Sequence, residues 1–581
     1  MIRICQHVEG IPLAIEMAAA LVRATPIATI ERNIRANLDV LATTLRDIPA
    51  RHRSLRAVFD QSWSLLTEAE QALLRRIAVF RGCDMVAAEQ VAGATPQLLE
   101  ALVDKSLVRP EHEPIAGSAG DTPRFTMLET LRAYALEQLE ASGELDALQQ
   151  KHAVYYLALA EEAAPQLNGP AQQQWLRRLD REHENLRATL GRALQEEPRA
   201  AHRELHTQPC TPSELGLRLA AALWQFWRLR GYAAEGVVWM ERALARRGEV
   251  APALRVAALN RAGYLFLRQG HYDQATAVAD ESLDLARACA DATGCAFALG
   301  VLGHVALVRG ERERGVAQFD ESLRLCGSGA GWLRSWLLNG RAELALMLGE
   351  TARAMALCHE SLALFEAIED WEGRARALDH LGQAYWWQGE LAQATAHWEA
   401  SLAVFRALGD RQGGGWILNH LGDLARQQAD YALARARYDE ALRTFAEIAD
   451  RLGHAAVLHN LGDVDQMQGD YATATRVFTE SLTIFYRLKH LDSVADCLVG
   501  LAGAQAPLGQ GERAVRMLGA VAAWRGVIDP GAAFANPANR AAWERSLAAA
   551  RTTLDEPTFA AAWAAGAALT LDQAVDEMLA G

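Results

Sequence analysis

Along the second half of the chain, apolar and polar positions follow a pattern that repeats itself. Phrases opening on leucine and closing on a small residue recur at Leu259–Gly263, Leu299–Gly303, Leu338–Ala342, Leu378–Gly382, Leu418–Gly422, Leu458–Gly462 and Leu498–Ala502. The closing small residue returns every 39 or 40 positions. Seven residues later stands a second glycine, at Gly270, Gly310, Gly349, Gly389, Gly469 and Gly509, with Ala429 in its place once. Twelve residues after the first small residue comes another: Ala275, Gly315, Ala354, Ala394, Ala434, Ala474 or Ala514. The units then close on Ser282-Leu283, Ser322-Leu323, Ser361-Leu362, Ser401-Leu402, Ala441-Leu442 and Ser481-Leu482. Apolar residues fall at helical spacing on both sides of the second glycine, so each unit predicts two helices. That glycine marks where the first must stop.

Five of the earlier glycines (Gly263, Gly303, Gly382, Gly422, Gly462) fall inside the first helix. Each costs about 1 kcal/mol there against alanine, about 5 kcal/mol together. They are tolerable only if the missing side chain lets the partner helix approach closely. The large apolar position of the second helix reads Ala279, Phe319, Cys358, Trp398, Tyr438 and Phe478. Small residues at the crossing with Leu, Phe, Trp and Tyr around them predict antiparallel hairpins stacked into a solenoid. The pattern resembles the tetratricopeptide repeat, with longer helices than the usual unit of about 34 residues. A further unit lies upstream, with Trp224 at the small position, Gly231-Tyr232 at the turn and Ala243-Leu244 at the close. The expected fold is all-α: a right-handed α-solenoid of about eight such hairpins, preceded by a small winged-helix domain.

Residues 60–141 carry the winged-helix signals. Thr67-Glu-Ala-Glu70 is a capping box opening a helix through Val79, Asp84 caps a second, and Thr95-Pro96 opens a third through about Lys105. Strand-like Leu107–Arg109 and Arg124–Met127 flank a Gly/Pro/Asp-rich loop, the wing. Helices follow at about 143–164 and 170–195, then a proline-containing loop with His202, His206 and Cys210 at four-residue steps. Those three suggest a metal site, but the flanking prolines argue against a sustained helix and no metal is expected. The expected boundaries are 1–48, 49–142, 143–213, 214–520 for the repeats and 521–581 for closing helices at Arg540–Leu554 and Glu556–Ala580.

A second resemblance joins these parts. Gly10-Ile-Pro12-Leu-Ala-Ile-Glu16 looks like the stretch that closes the nucleotide-binding module of signal-transduction ATPases with numerous domains, the LuxR- and AfsR-type bacterial regulators among them. Arg51–Arg56, Ser62–Leu66, Ile77–Phe80, Leu102–Val108, Arg124–Arg132, Asn185–Ala188 and Phe559–Gly566 follow in the family's order. The resemblance implies that Pro12, with Gly10, is half of a nucleotide site. The other half is missing: no G-x-x-x-x-G-K-[ST] occurs, and none of the three lysines (Lys105, Lys151, Lys489) follows a glycine-rich loop. Met127-Leu128-Glu129 aligns with the family's Met-His-Asp sensor, and leucine cannot donate a hydrogen bond to phosphate. The chain is therefore expected to resemble the C-terminal portion of such a regulator, non-enzymatic and without a cofactor. A separate ATPase half is one possible partner.

Composition narrows the partners. With 58 basic and 72 acidic side chains the formal net charge is −14, which argues against a large nucleic-acid or anionic-membrane footprint. The eight cysteines stand singly, as in a reducing cytoplasm, and the longest Ala-rich apolar run, Phe559–Leu569, is too short to span a bilayer. The winged helix's third helix offers Glu100 and Asp104 against Lys105, so DNA contact there is the lesser of two readings.

The concave groove of the repeats is the better candidate. The resemblance implies that first-helix positions around the small residue line it. They give Phe297, Trp336, Arg376 and Trp416; Asn260, Asn339, Asp379, Asn419 and His459; Tyr264, His304, Glu343, Gln383, Asp423 and Asp463; and Arg268, Trp387 and Gln427. Amides, carboxylates, Arg and His beside Trp suit a protein or peptide partner or a polar small-molecule inducer. Packing between repeats is the other reading of Trp336 and Trp416.

Overall fold

The computed structural model describes residues 55–111, 123–195, 211–246, 250–327, 331–526 and 537–579. The segment expected at 1–48 with Gly10 and Pro12, most of the wing loop, and His202, His206 and Cys210 lie outside the described residues. The chain forms two compact units, Met1–Ala163 with Arg177–Leu219 and Ala164–Leu176 with Ala220–Gly581.

In the first unit, helices α1 (Leu55–Ser64), α2 (Glu68–Ile77), α3 (Met85–Ala87, running into a π turn at Ala88–Ala92) and α4 (Pro96–Asp104) precede strands β1 (Arg109–Glu111) and β2 (Arg124–Thr126). The strands pair antiparallel, Pro110 opposite Phe125. Helices α5 (Glu129–Ala141), α6 (Leu145–Gln166) and α7 (Gln172–Ala193) follow. The predicted starts are present: Thr67 and Glu70 form the capping box, and Asp84 and Thr95 accept from the backbone of Ala87 and Leu98. Leu107 and Val108 belong to a turn, not to the first strand as expected, because Ser106 takes a left-handed φ of 59° after α4.

A buried polar network ties the hairpin to α7. Arg124 pairs with Glu182, whose other oxygen accepts from Tyr156 Oη and Asn185 Nδ2, each at 2.7 Å. Asn185 Nδ2 also donates to Gly82 O at 2.8 Å, and its Oδ1 accepts from Arg81 N at 2.7 Å. Beside them His152 is buried, and desolvation pushes its imidazole down to about 4.

The second unit holds the repeats. Hairpins pair α8 (Pro212–Leu229) with α9 (Ala233–Ala245), α10 (Pro252–Arg268) with α11 (Tyr272–Ala288), α12 (Ala292–Val308) with α13 (Arg312–Cys326), and α14 (Gly331–Met347) with α15 (Thr351–Ala367). They continue with α16 (Trp371–Trp387) and α17 (Leu391–Leu408), α18 (Arg411–Gln427) and α19 (Tyr431–Glu447), α20 (Arg451–Met467) and α21 (Tyr471–Arg487), and α22 (Leu491–Gln505) and α23 (Gly511–Trp524). Helices α24 (Pro537–Arg551), α25 (Glu556–Ala567) and α26 (Leu571–Leu579) close the unit. One helix was expected across 556–580. The structure breaks it because Thr570 and Gln573 form a reciprocal cap, Thr570 N to Gln573 Oε1 at 2.9 Å and Gln573 N to Thr570 Oγ1 at 3.2 Å.

The repeat's small residues have distinct physical causes. Gly270, Gly310 and their counterparts end the first helix at φ of 72–83°, and Ala429 accepts the same left-handed turn at 59°. The mid-helix glycines admit an aromatic ring of the second helix. A Cβ at Gly303, Gly382, Gly422 or Gly462 would lie 3.1, 2.7, 2.5 or 2.8 Å from the ring of Phe319, Trp398, Tyr438 or Phe478. Where the second helix carries the smaller Cys358, the first carries Ala342, and the two pack in one buried cluster. The closing serine donates to a first-helix carbonyl 26 residues earlier: Ser322 to Ala296 O, Ser361 to Ser335 O, Ser401 to Ala375 O, Ser481 to Ala455 O, at 2.5–2.9 Å.

One further motif escaped the sequence reading. Asp291, Asp370, Asp410 and Asp450 cap first helices through Oδ1, accepting from Gly294, Gly373, Gly413 and Gly453 N at 2.8–3.0 Å. Three of these glycines also seat a ring, since a Cβ at Gly413 or Gly453 would lie 2.6 or 2.5 Å from Phe405 or Phe445, and Gly373 abuts Phe365.

Candidate functional site

The candidate groove residues divide into a packed half and an open half. In the packed half, first-helix aromatics fill the space between hairpins. Trp224 of α8 lies 5.3 Å from Trp332 of α14, three hairpins on, and 5.2 Å from Tyr264. Tyr264 and Phe297 reach Trp336 at 5.5 and 5.3 Å, and His304 stacks on Trp336 at 4.7 Å. Tyr264 and Trp336 are buried. Asn260 is buried too, donating to Gly294 O at 3.0 Å and accepting from Ser282 Oγ at 2.9 Å. Asn339 is buried with no hydrogen-bond partner for its Oδ1, and Glu343 is half-buried. Burial lowers the His304 imidazole below its usual range despite Glu343 nearby. Arg268 and Arg376 edge this half, half-buried.

The open half is a cavity of about 180 Å³ between the later hairpins. Gln383 and Trp386 of α16, Asn419, His420 and Asp423 of α18, and Ala456, His459 and Asn460 of α20 line it. Phe485 of α21, Ser493 and Asp496 of α22, and Asn539 of α24 complete it. Of the candidates, Gln383, Asn419, Asp423 and His459 are therefore together. Asp379 and Asp463 stand directly behind the wall. Trp416 packs edge-on against Phe445 at 5.4 Å, and Gln427 accepts from Trp386 Nε1 on the exposed end. Trp387 is half-buried, its Nε1 without a partner.

The wall is electrostatically organised. Asp379 Oδ1 meets His420 Nδ1 at 2.9 Å and accepts from Trp398 Nε1 at 2.9 Å. Burial opposes both charges, but each partner outweighs it: the His420 imidazole is raised above its usual range and the Asp379 carboxyl is lowered. Arg426, buried, bridges Asp463 and Asp423, and Tyr438 Oη donates to Asp423 Oδ1 at 2.7 Å. Two carboxylates around one guanidinium hold Arg426 firmly charged. Asp496 accepts from Arg525 at 2.7 Å and Asn539 at 2.9 Å, while desolvation raises its carboxyl above the usual range. Asn460 Nδ2 donates to Asn419 Oδ1 at 2.9 Å, leaving one amide end of each for other partners.

Sequence reasoning missed His420, Asn460, Asp496 and Asn539 as wall residues. Asp496 stands six residues before Ala502, the offset that gave Trp336 and Trp416, and was within reach by carrying that offset one repeat further. Asn539 comes from outside the repeats and carries no periodic signal.

Residues 373–447 and 415–487 match the family model described as Tetratricopeptide repeat. Across residues 373–487 the array is built of tetratricopeptide repeats. The chain is 37% identical over 252 residues to "Putative HTH-type transcriptional regulator Rv0890c" of Mycobacterium tuberculosis, an alignment covering 42% of this chain and 26% of the relative. It is 34% identical over 154 residues to an uncharacterised protein of the same organism, covering 25% of this chain and 38% of that one. The chain thus spans only about a quarter to two-fifths of the length of these relatives. Among solved structures, a signal-transduction ATPase with numerous domains carrying a tetratricopeptide repeat sensor, from Pyrococcus horikoshii, matches with a TM-score of 0.38 and 13% identity over 97% of this chain and 73% of that one. A Rap protein complexed with Competence and Sporulation Factor matches with a TM-score of 0.40 and 14% identity over 60% of this chain and 99% of that one. At these scores the two structures are distant likenesses and carry no argument about the tetratricopeptide pocket.

Proposed function

We propose that the chain is a non-enzymatic regulatory module that holds an extended peptide, from a protein partner or free, in the pocket between α16, α18, α20 and α22. It would be the sensing portion of a regulator of the signal-transduction ATPase type. The pocket's lining carries the reading: amides, imidazoles and carboxylates of consecutive repeats present alternating donors and acceptors beside Trp386 and Phe485. Packed helices lie about 8–10 Å apart, so Asn419 and His459, on neighbouring first helices, meet residues roughly three apart in a chain rising about 3.3 Å per residue. A cavity of about 180 Å³ exceeds the ~150 Å³ that accepts a benzene ring, which suits one sunk side chain. A polar small-molecule inducer of one ring is the other occupant this volume admits.

DNA contact through α4 finds less support. Its exposed face offers Glu100 and Asp104, and Lys105 is committed to Glu70 at 2.6 Å.

Panning a random peptide library against the immobilised chain tests the reading. Selected peptides should lose at least tenfold in affinity for the variant carrying Asn419→Ala, His459→Ala and Asn460→Ala, with helical content by circular dichroism unchanged. Equal affinity for the variant would reject the pocket as the site.

A further inference from the structure

Away from that pocket, three guanidinium groups from distant repeats converge on one hydroxyl. Arg228 of α8, Arg268 of α10 and Arg376 of α16 all act on Tyr264, and together they outweigh burial to lower its phenol below the usual range. Glu372 is buried and holds Arg228 on one side and Arg376 Nε, at 2.9 Å, on the other. Asp410 and Asp370 cap α18 and α16 through one oxygen each, accepting from Gly413 and Gly373, and act on the arginines only at longer range. Asp410 Oδ2 stays 3.7 Å from Arg376 Nη2, beyond hydrogen-bond distance.

Arg268 is therefore the exception. Its hydrogen bond goes to a neutral acceptor, Gln412 Oε1 at 2.6 Å, and Asp410 acts on it only through space. Desolvation, with Arg376 beside it, pushes Arg268 down to about 10. Arg376 Nη2 and Arg228 Nε are buried donors with no acceptor. Buried charges are ordinarily paired, and buried donors ordinarily satisfied. Arg268 and Arg376 both keep partial solvent contact, so the cluster is reachable.

We propose that Arg268 and Arg376, with Arg228 and Tyr264 beside them, form a subsite for an oxyanion, a carboxylate or phosphate group carried on a ligand. Trp224 and Trp332, at 5.2 and 6.0 Å from Tyr264, pack against its ring and hold its hydroxyl in place beside the guanidiniums. The oxyanion supplies the acceptor that Arg376 Nη2 lacks and the direct ion pair that Arg268 lacks. This site stands independently of the peptide pocket, sharing none of its residues.

Calorimetric titration of the full chain with inorganic phosphate, and separately with benzoate, at ionic strength fixed with sodium chloride, tests it. At least one probe should bind saturably at one site. Phosphate alone would assign a phosphate group, benzoate alone a carboxylate. Arg268→Gln should weaken that binding at least tenfold, whereas Arg435→Gln, whose guanidinium pairs with Asp465 elsewhere, should not change it. If Arg268→Gln lacks wild-type helicity, Arg376→Gln is read in its place. No saturable heat with either probe, or equal affinity in wild type and the Arg268→Gln (or substitute Arg376→Gln) variant, overturns the proposal.

Discussion

The match between mid-helix glycine and facing ring makes a quantitative prediction at Gly462. Alanine there would gain about 1 kcal/mol of helix propensity. Its Cβ would, however, stand 2.8–3.0 Å from three atoms of the Phe478 ring, inside ordinary contact distance. The ring cannot retreat, because a Cβ at Gly500 on its other side would already lie 2.7 Å away. Overpacking of this kind costs about 1–3 kcal/mol, so Gly462→Ala should destabilise by about 1 kcal/mol net. Gly263 is the control: its second-helix counterpart is Ala279, and an added Cβ meets only Val301 and Val278, from 3.3 Å outward. Gly263→Ala should be neutral or stabilising, and the two substitutions should differ by about 1–3 kcal/mol. Phe478→Cys alone should cost about 3–5 kcal/mol, as for other large-to-small changes. Combined with Gly462→Ala it recreates the natural Ala342–Cys358 pair, and the double variant should cost less than the sum by about 1–2 kcal/mol. Urea melts followed by circular dichroism give all four values, read as shifts of the array's main transition. A Gly462→Ala variant at least as stable as wild type, or strict additivity in the cycle, would refute the reasoning.

Further expectations follow from the buried polar groups. Arg426→Met strands Asp423 and Asp463 and should destabilise the array by about 3–5 kcal/mol in the same melts. The raised His420 imidazole contributes stability that is fully present below its unfolded value of 6.5 and lost as pH rises through the folded value. The stability difference between wild type and His420→Gln, measured from pH 5 to 9, should therefore shrink toward high pH, and a difference that grows would contradict the Asp379 pairing. His152 behaves oppositely, since a folded value of about 4 against 6.5 unfolded makes stability fall with pH across that interval, by about 3 kcal/mol at the acid end. His152→Leu should flatten that limb in thermal melts of the protein. Random duplex DNA at low salt should give no mobility shift with the chain, and a salt-dependent shift would revive the α4 reading.

The periodicity of Gly263, Gly270, Ala275 and Ser282 and their counterparts carried the solenoid in the sequence because each position has one local cause: a ring, a left-handed turn, a crossing or a carbonyl. The Asp-x-x-Gly caps at Asp370, Asp410 and Asp450 were equally periodic and passed unread, because only the leucine-led phrase was followed. The candidate site was legible as a set of helix faces but not as a set of open surfaces. Asn260 and Asn339 share an offset with Asn419, yet the rings of Trp224, Trp332 and Trp336 fill the first half of the lumen and leave only the second half open. That distinction depends on which repeats meet across the superhelix, a long-range fact that no single repeat encodes. The same closure explains why Arg228, Arg268 and Arg376, from three separate repeats, could not be joined from spacing alone.

Hydrogen exchange on the chain, with and without a peptide selected by panning, tests the central claim most directly. The account predicts new protection confined to residues 382–387, 415–425, 455–463, 484–486 and 493–497 and to the start of α24, the segments that wall the cavity. Protection falling instead in residues 55–111, with those segments unchanged, would contradict it.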